Sequence, residues 1–518
     1  MNLFQRLFLS TYEKRTSFMV GVERTLRSRF VESLITILKR GCVMSNNDNG
    51  KIGLFDSAMI LVGGMIGSAI FSLSGVTILN AGPASILSWV IAAIVLFVYA
   101  LQTAELSTIY PHSGGVFVFP ERTLGKNAKQ GRLWGWISAW AYLFGNISAV
   151  TFSSMYIGIY LGVGFPSLNN YQLMIGVAAV IFTGVLNLMK VSSMSKVNNA
   201  ITIIHVVTMG IFVVVAFFSG KWETSNFVPF FSQGVGGTWG FLSSVPVAML
   251  AYGGIVAIAF MVGEIKNPKR TVPLAMTIAM VIVVATYLLM MISTMGLITA
   301  QYLMKNPGMT YIPVFAAAFA KLAYIPWLVK LIAITAVLGL FTTTMVCMTL
   351  TARTFQACAG SGLFPKALAK TNKTSGVPVN AQLLTIGICA VLAAFPSLIN
   401  IMVNMGALCT VIVIAIVCLS AIAARKKNPD MTDKFKAPGG NTVSVLVLII
   451  LVACYIPSII EGGWQLWAWT GIYYVFGMII YYFATRKADA AHGRAEHSSA
   501  PRSNWPHGEL ESKGEDAL

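Results

Sequence analysis

Apolar runs of about 20 residues, the length a membrane-spanning helix needs, recur from Leu54 to Ala484, and short polar or basic segments separate them. A helix rises about 1.5 Å per residue, so each run is long enough to cross a hydrocarbon core of about 30 Å. Lipid offers no partner to a free backbone N–H or C=O, which leaves helices and closed barrels as the spanning structures. Barrel strands are about ten residues long and alternate in polarity. These runs are longer and do not alternate, which predicts an all-α integral membrane protein. Cutting the chain at its loops places twelve spans near residues 54–80, 84–110, 133–163, 171–190, 197–219, 240–263, 272–299, 324–358, 379–395, 399–424, 443–460 and 464–485.

Composition agrees with that pattern. Hydrophobic residues make up 56% of the 518 and charged ones 10%, with a mean hydropathy of +0.74, whereas a soluble domain is about 25% charged. The net charge of +18 does not point to nucleic acid, because that reading needs a basic patch on a folded surface. The charge sits in loops instead. One set of alternate loops, from Arg122 to Arg132, at Lys190 and Lys196, from Lys266 to Arg270, from Arg353 to Lys373 and from Arg425 to Lys436, holds eighteen Lys and Arg. The other set holds three, Lys221, Lys305 and Lys321. The positive-inside rule then predicts a multi-pass protein of the cell inner (plasma) membrane with both termini cytoplasmic. The seven cysteines show no C-x-x-C or Cys/His ligand spacing, so neither a disulfide nor a metal site is expected.

Residues 1–51 read as a cytoplasmic segment. Arg24, Arg27, Arg29, Lys39 and Arg40 alternate with Leu26, Phe30, Leu34, Ile35 and Leu38, a basic amphipathic pattern suited to a membrane surface. The alternative is that translation begins at Met44, since Met44 to Gly50 is a polar lead into the first span. Residues 487–518 lack apolar periodicity and read as a disordered cytoplasmic tail. Between them, residues 52–219 form a first unit of five spans, 220–424 a second unit of five, and 425–486 the last two.

Span 1 is interrupted at Gly63-Gly64-Met65-Ile66-Gly67-Ser68 and span 6 at Ala251-Tyr252-Gly253-Gly254. Small residues in spans also serve close helix packing. Matching interruptions five spans apart instead point to two inverted repeats whose broken helices meet near the midplane, where exposed backbone groups line a ligand site.

At this point the residues resemble the amino acid-polyamine-organocation (APC) transporters. Gly64-Met65-Ile66-Gly67-Ser68-Ala69-Ile70-Phe71 is similar to that family's G-x-x-I-G-S-G-I-F, and Ala104-Glu105-Leu106-Ser107 with Tyr110-Pro111 and Ser113-Gly114-Gly115 to its A-E-L-x-x-x-x-P-x-x-G-G. Gly263-Glu264-Ile265-Lys266-Asn267-Pro268-Lys269-Arg270-Thr271-Val272-Pro273 resembles the loop after span 6, and Gly362-Leu363-Phe364-Pro365 the motif after span 8. Ala69 stands where the family has glycine, and Ser361 where it often has aspartate. The resemblance implies the LeuT-like fold of five plus five inverted-repeat helices with two more at the C-terminal end. It implies secondary active transport of an amino acid by alternating access, as symport or antiport. An amino acid/amine antiporter and a transporter-like sensor that binds without moving its ligand remain as alternatives.

A broken helix supplies complementary poles for an α-amino acid. Unpaired N–H groups and the positive dipole end at Ser68, Ala69 and Ile70 suit the carboxylate. The resemblance places the ammonium at the carbonyls of Met65, Leu250 and Gly253, with Tyr252 as a gate or as packing. The tryptophans that hold a guanidinium in the family's arginine/agmatine antiporter fall, by ungapped carry-over, at Leu250 and Cys347. With no carboxylate at mid-membrane, the expected order of substrates is neutral, then acidic, then basic. Glu105 and Glu264, at inner span ends, read as ties between loops, and Asn146, Asn187, Asn400 and Asn404 as interhelical hydrogen-bond groups. His205 of span 5 stands where the family's R-V-Q-x-x-x-T-x-x-K motif has lysine. In sodium-independent relatives that ammonium fills the space where sodium-coupled ones hold a cation, so His205 is expected to couple transport to protons without sodium, or else to be satisfied by an interhelical hydrogen bond. No cofactor is implied. The expected partners are the amino acid, protons and the bilayer, with the protein a monomer or homodimer. An enzyme is disfavoured, because no G-x-S-x-G, H-E-x-x-H or paired carboxylates occur.

Overall fold

Glycine clusters cost a helix about 1 kcal/mol per residue relative to alanine, and spans 1 and 6 break at the clusters Gly63–Gly67 and Gly253-Gly254. The computed structural model describes residues 52–496 apart from Ser68, 111–113, Lys190, 263–264, 373–374 and 429–433. The readings for residues 1–51 and 497–518 lie outside the described residues, as do Ser68 and Glu264. Span 1 runs as a helix from Leu54–Met65, turns extended at Ile66 (φ −75°, ψ 97°), and resumes through a wide turn at Ala69–Leu73 into Ser74–Ala81. Span 6 has short helices Gly240–Ser243 and Val245–Leu250, a turn at Ala251 and Tyr252, and a tight 3-10 segment Gly253–Phe260.

Among the described residues, ten helical stretches are long and apolar enough to span. The first, Leu54–Ile109, is two crossings joined at the turn Gly82–Ala84. Val379–Ala393, at 15 residues, rises about 22 Å and packs against spans 3, 4 and 8 as the ninth crossing. Spans 11 and 12 are separated at Gly463, whose φ of 67° and ψ of 173° suit a residue without a Cβ. Twelve crossings result. The last helix continues to Glu496 rather than ending near residue 486. Alanines in the Lys487–Ala491 stretch are good helix formers and extend a helix already nucleated.

The two sets of five spans pack alike. Span 5 lies against spans 1 and 8, and span 10 lies against spans 6 and 3, which is the same relation with the repeats exchanged. This is the inverted-repeat architecture expected from the two interruptions.

Contacts bridge the central region at both ends. On the Lys/Arg-rich side, Ile52 pairs with Ile265 as a parallel bridge, and the Lys266 N–H donates to the Ile52 carbonyl at 3.0 Å. Just inside, Phe260 stacks on Tyr142 with ring centroids 5.2 Å apart. Also on this side, Arg425 grips Glu105 through two hydrogen bonds of 2.7 and 2.6 Å, and the Ala437 N–H donates to the same carboxylate at 3.0 Å. Glu105 therefore clamps span 2 to the end of span 10 and the loop beyond it. On the opposite side the loop after span 7 folds in as Ala300–Lys305 and Pro313–Leu322. The Tyr311 hydroxyl of that loop donates to Asn400 Oδ1 at the head of span 10, at 3.0 Å.

Candidate functional site

The broken halves of spans 1 and 6 meet backbone to backbone. A Cβ added at Gly254 would sit 2.7 Å from the carbonyl of Gly64, a contact only glycine tolerates. Beside this junction lies a cavity of about 50 Å³. Spans 1 and 6 contribute Gly64, Met65, Leu250, Gly253 and Gly254 to its wall. Span 2 adds Leu96 and Tyr99, and span 3 adds Tyr142, Asn146 and Phe152. Span 8 adds Thr343 and Cys347, and span 10 adds Thr410, Val413 and Ile414. The wall holds no Asp, Glu, Lys, Arg or His among the described residues.

Of the residues expected from sequence, Met65, Leu250 and Gly253 come together at this cavity. Ala69 and Ile70 begin the wide turn of span 1, are buried, and are not among the wall residues. Tyr252 points elsewhere: it is fully buried against Trp89 and Tyr287, and its hydroxyl donates to the Trp89 carbonyl at 3.2 Å. Its ring thus lies behind the cavity rather than on its wall. Asn187 crosses from span 4 to the Met345 carbonyl of span 8 at 2.7 Å. Asn146 instead donates to the Tyr142 carbonyl of its own helix at 2.9 Å and faces the cavity.

Tyr287 of span 7 is the residue that sequence reasoning missed. Its hydroxyl lies between two carbonyls, bonded to that of Met65 and 3.1 Å from that of Ala251. One phenol thus ties the unwound segment of span 1 to that of span 6. A tyrosine in an apolar run carries no sign of this; only a polar tip needing a partner inside lipid hints at it.

His205 lies at the contact of spans 1, 5 and 8. It is 1% exposed, stacks on Phe71 of span 1 at 5.2 Å and 26°, and presses on Gly339 of span 8, where an added Cβ would sit 1.8 Å from the ring. Neither ring nitrogen has a hydrogen-bond partner among the described residues. The ring therefore lies between spans 1 and 8 with no interhelical hydrogen bond among the described residues.

Comparison with known proteins now adds to the geometry. The family model described as "Amino acid permease" matches residues 52–484. The chain belongs to the amino acid permease family. The permease is 27% identical over 458 residues to the branched-chain amino acid permease BcaP of Bacillus subtilis, covering 84% of this chain and 93% of that one. It is 25% identical over 438 residues to the aspartate-proton symporter of the same organism, covering 82% and 81%. It is also 25% identical over 433 residues to the chloroplastic cationic amino acid transporter 7 of Arabidopsis thaliana, covering 80% and 70%. These relatives are named for branched-chain amino acids, aspartate and cationic amino acids, three different substrate classes.

Proposed function

We propose that the permease carries a neutral amino acid across the cell inner membrane by alternating access, coupled to protons through His205 and independent of sodium. The basic side is cytoplasmic on this reading, with both termini there. The observation that carries the substrate class is the cavity wall. A charged substrate side chain would be desolvated without a counter-charge, which is costly in low dielectric. A neutral side chain finds Leu250, Phe152, Val413 and Ile414 on its apolar side and neutral polar groups elsewhere.

The α-ammonium and α-carboxylate are met by the broken spans. The carbonyls of the wall residues Met65, Leu250 and Gly253 accept from the ammonium, and N–H groups left free at the interruption of span 1 meet the carboxylate. Tyr287 orients the Met65 carbonyl and keeps the two breaks in register. Exchange of position follows when the Ile52–Ile265 closure and the Tyr311–Asn400 latch open in turn.

Thermal stabilisation of the purified permease across the amino acids tests the substrate class. A ligand at 100 times its Kd adds about 2.7 kcal/mol, so neutral amino acids should raise the midpoint by several degrees while arginine, lysine and putrescine leave it unmoved. Stabilisation by basic ligands ahead of neutral ones would reverse the assignment.

A further inference from the structure

Span 5 carries a polar face that amino acid binding leaves unused. Ser195, Asn198, Asn199, Thr202 and His205 recur at helical spacing and all are buried. The face lies against span 1, where a Cβ added at Gly63 would sit 2.4 Å from Thr202 Oγ1 and 2.7 Å from Asn198 Oδ1. Toward the basic side it reaches Asp56, whose carboxylate accepts from Asn199 Nδ2 at 2.6 Å. At mid-bundle it reaches His205. One turn beyond, Thr208 is buried but gives its hydroxyl to the Ile204 carbonyl of its own helix at 2.9 Å. Past it the face continues as Met209, Phe212 and Ala216, buried and apolar, so the unpaired polar atoms of the face lie on the Asp56 side of the bundle.

Some of its hydrogen bonds are made within the protein. Asn198 donates to the Met59 carbonyl at 2.9 Å, and the Thr202 hydroxyl to the Asn198 carbonyl at 2.7 Å. The rest are not. Ser195 Oγ, Asn198 Oδ1, Asn199 Oδ1 and both His205 nitrogens are buried with no hydrogen-bond partner among the described residues. Protein interiors leave few such atoms, and ordered water is the usual partner where they cluster.

We propose that water ordered along this face forms the proton route between His205 and the cytoplasmic surface at Asp56. The proposal rests on the reading of His205 as the coupling group. In the release direction a ring N–H of the imidazolium breaks and its proton passes to water. Successive O–H bonds form and break along the file, and the proton ends on the Asp56 carboxylate before reaching bulk water. Asn198, Asn199 and Thr202 orient the waters and hold no proton themselves. The groups facing His205 from its neighbours do not compete. Span 1 presents Phe71 and span 8 presents Gly339. Behind Phe71, the span 3 hydroxyl of Tyr160 is given to the Phe71 carbonyl at 2.5 Å.

Two activities of reconstituted permease separate the possibilities. Net uptake driven by a pH gradient requires the coupling proton to reach the cytoplasmic side, whereas exchange of labelled for unlabelled substrate does not. Thr202→Val keeps the side-chain shape and removes the hydroxyl; Thr202→Ser restores it. We expect Thr202→Val and Asp56→Asn to slow net uptake at least about tenfold, equivalent to about 1.4 kcal/mol of barrier, with exchange preserved and Thr202→Ser close to wild type. Unchanged net uptake in both Thr202→Val and Asp56→Asn overturns the route alone. So does equal loss of uptake and exchange, or identical behaviour of the Val and Ser variants. A wild type indifferent to the pH gradient overturns the role of His205, and the route with it.

Discussion

The imidazole of His205 is sandwiched between the ring of Phe71, 5.2 Å away between centroids, and the backbone of Gly339. A titratable group is therefore packed between span 1 and span 8, and on the proposed function its protonation state bears on whether they separate.

Gly339→Ala tests that contact. The added methyl would overlap the imidazole, and overpacking of this kind costs about 1–3 kcal/mol. The expected result is a lower unfolding midpoint and loss of pH-driven uptake, read by thermal unfolding and by proteoliposome assay. His205→Lys should keep transport with its pH response displaced upward, because lysine titrates near 10.4 and histidine near 6.5 when unperturbed.

Tyr287→Phe removes the hydroxyl between the Met65 and Ala251 carbonyls. Leaving a buried acceptor unpaired costs about 1–3 kcal/mol. Reduced thermal stability and a weaker Kd for substrate are expected, because the Met65 carbonyl loses its fixed direction. Calorimetric binding to the variant checks both.

Leu250→Ala enlarges the cavity on its apolar side. Methylene-sized differences in a pocket are worth about 1–3 kcal/mol, so preference should move toward larger neutral side chains by about tenfold or more. A competition series from alanine to tryptophan measures it. An unchanged rank order would remove Leu250 from the selectivity wall.

Glu105→Gln breaks a buried bidentate pair with Arg425, where the two side chains are 1% and 14% exposed. Removing one partner of such a pair costs about 3–5 kcal/mol. The variant should unfold at lower temperature while the pH profile of its transport stays that of wild type, since the carboxylate is a clamp and not a coupling group.

The spans and the two breaks were legible because each leaves a local mark: apolar length and glycine clusters. Which side chains face the cavity left no such mark. Tyr99, Tyr142 and Asn146 line it while Tyr252 turns to Trp89, and the difference depends on helix rotation within the bundle rather than on residue type. Tyr287 was hidden for the same reason, since its role exists only once spans 1, 6 and 7 are packed. The extension of the last helix to Glu496 was missed because helix propagation needs no apolar periodicity.

The most direct measurement is sodium-free uptake of a labelled neutral amino acid into proteoliposomes with acid outside, compared between wild type and His205→Ala. The account predicts saturable accumulation by wild type that a protonophore collapses, and no accumulation above equilibrium by the variant. Accumulation that needs sodium, or a His205→Ala protein that concentrates substrate with an unchanged pH profile, would contradict it.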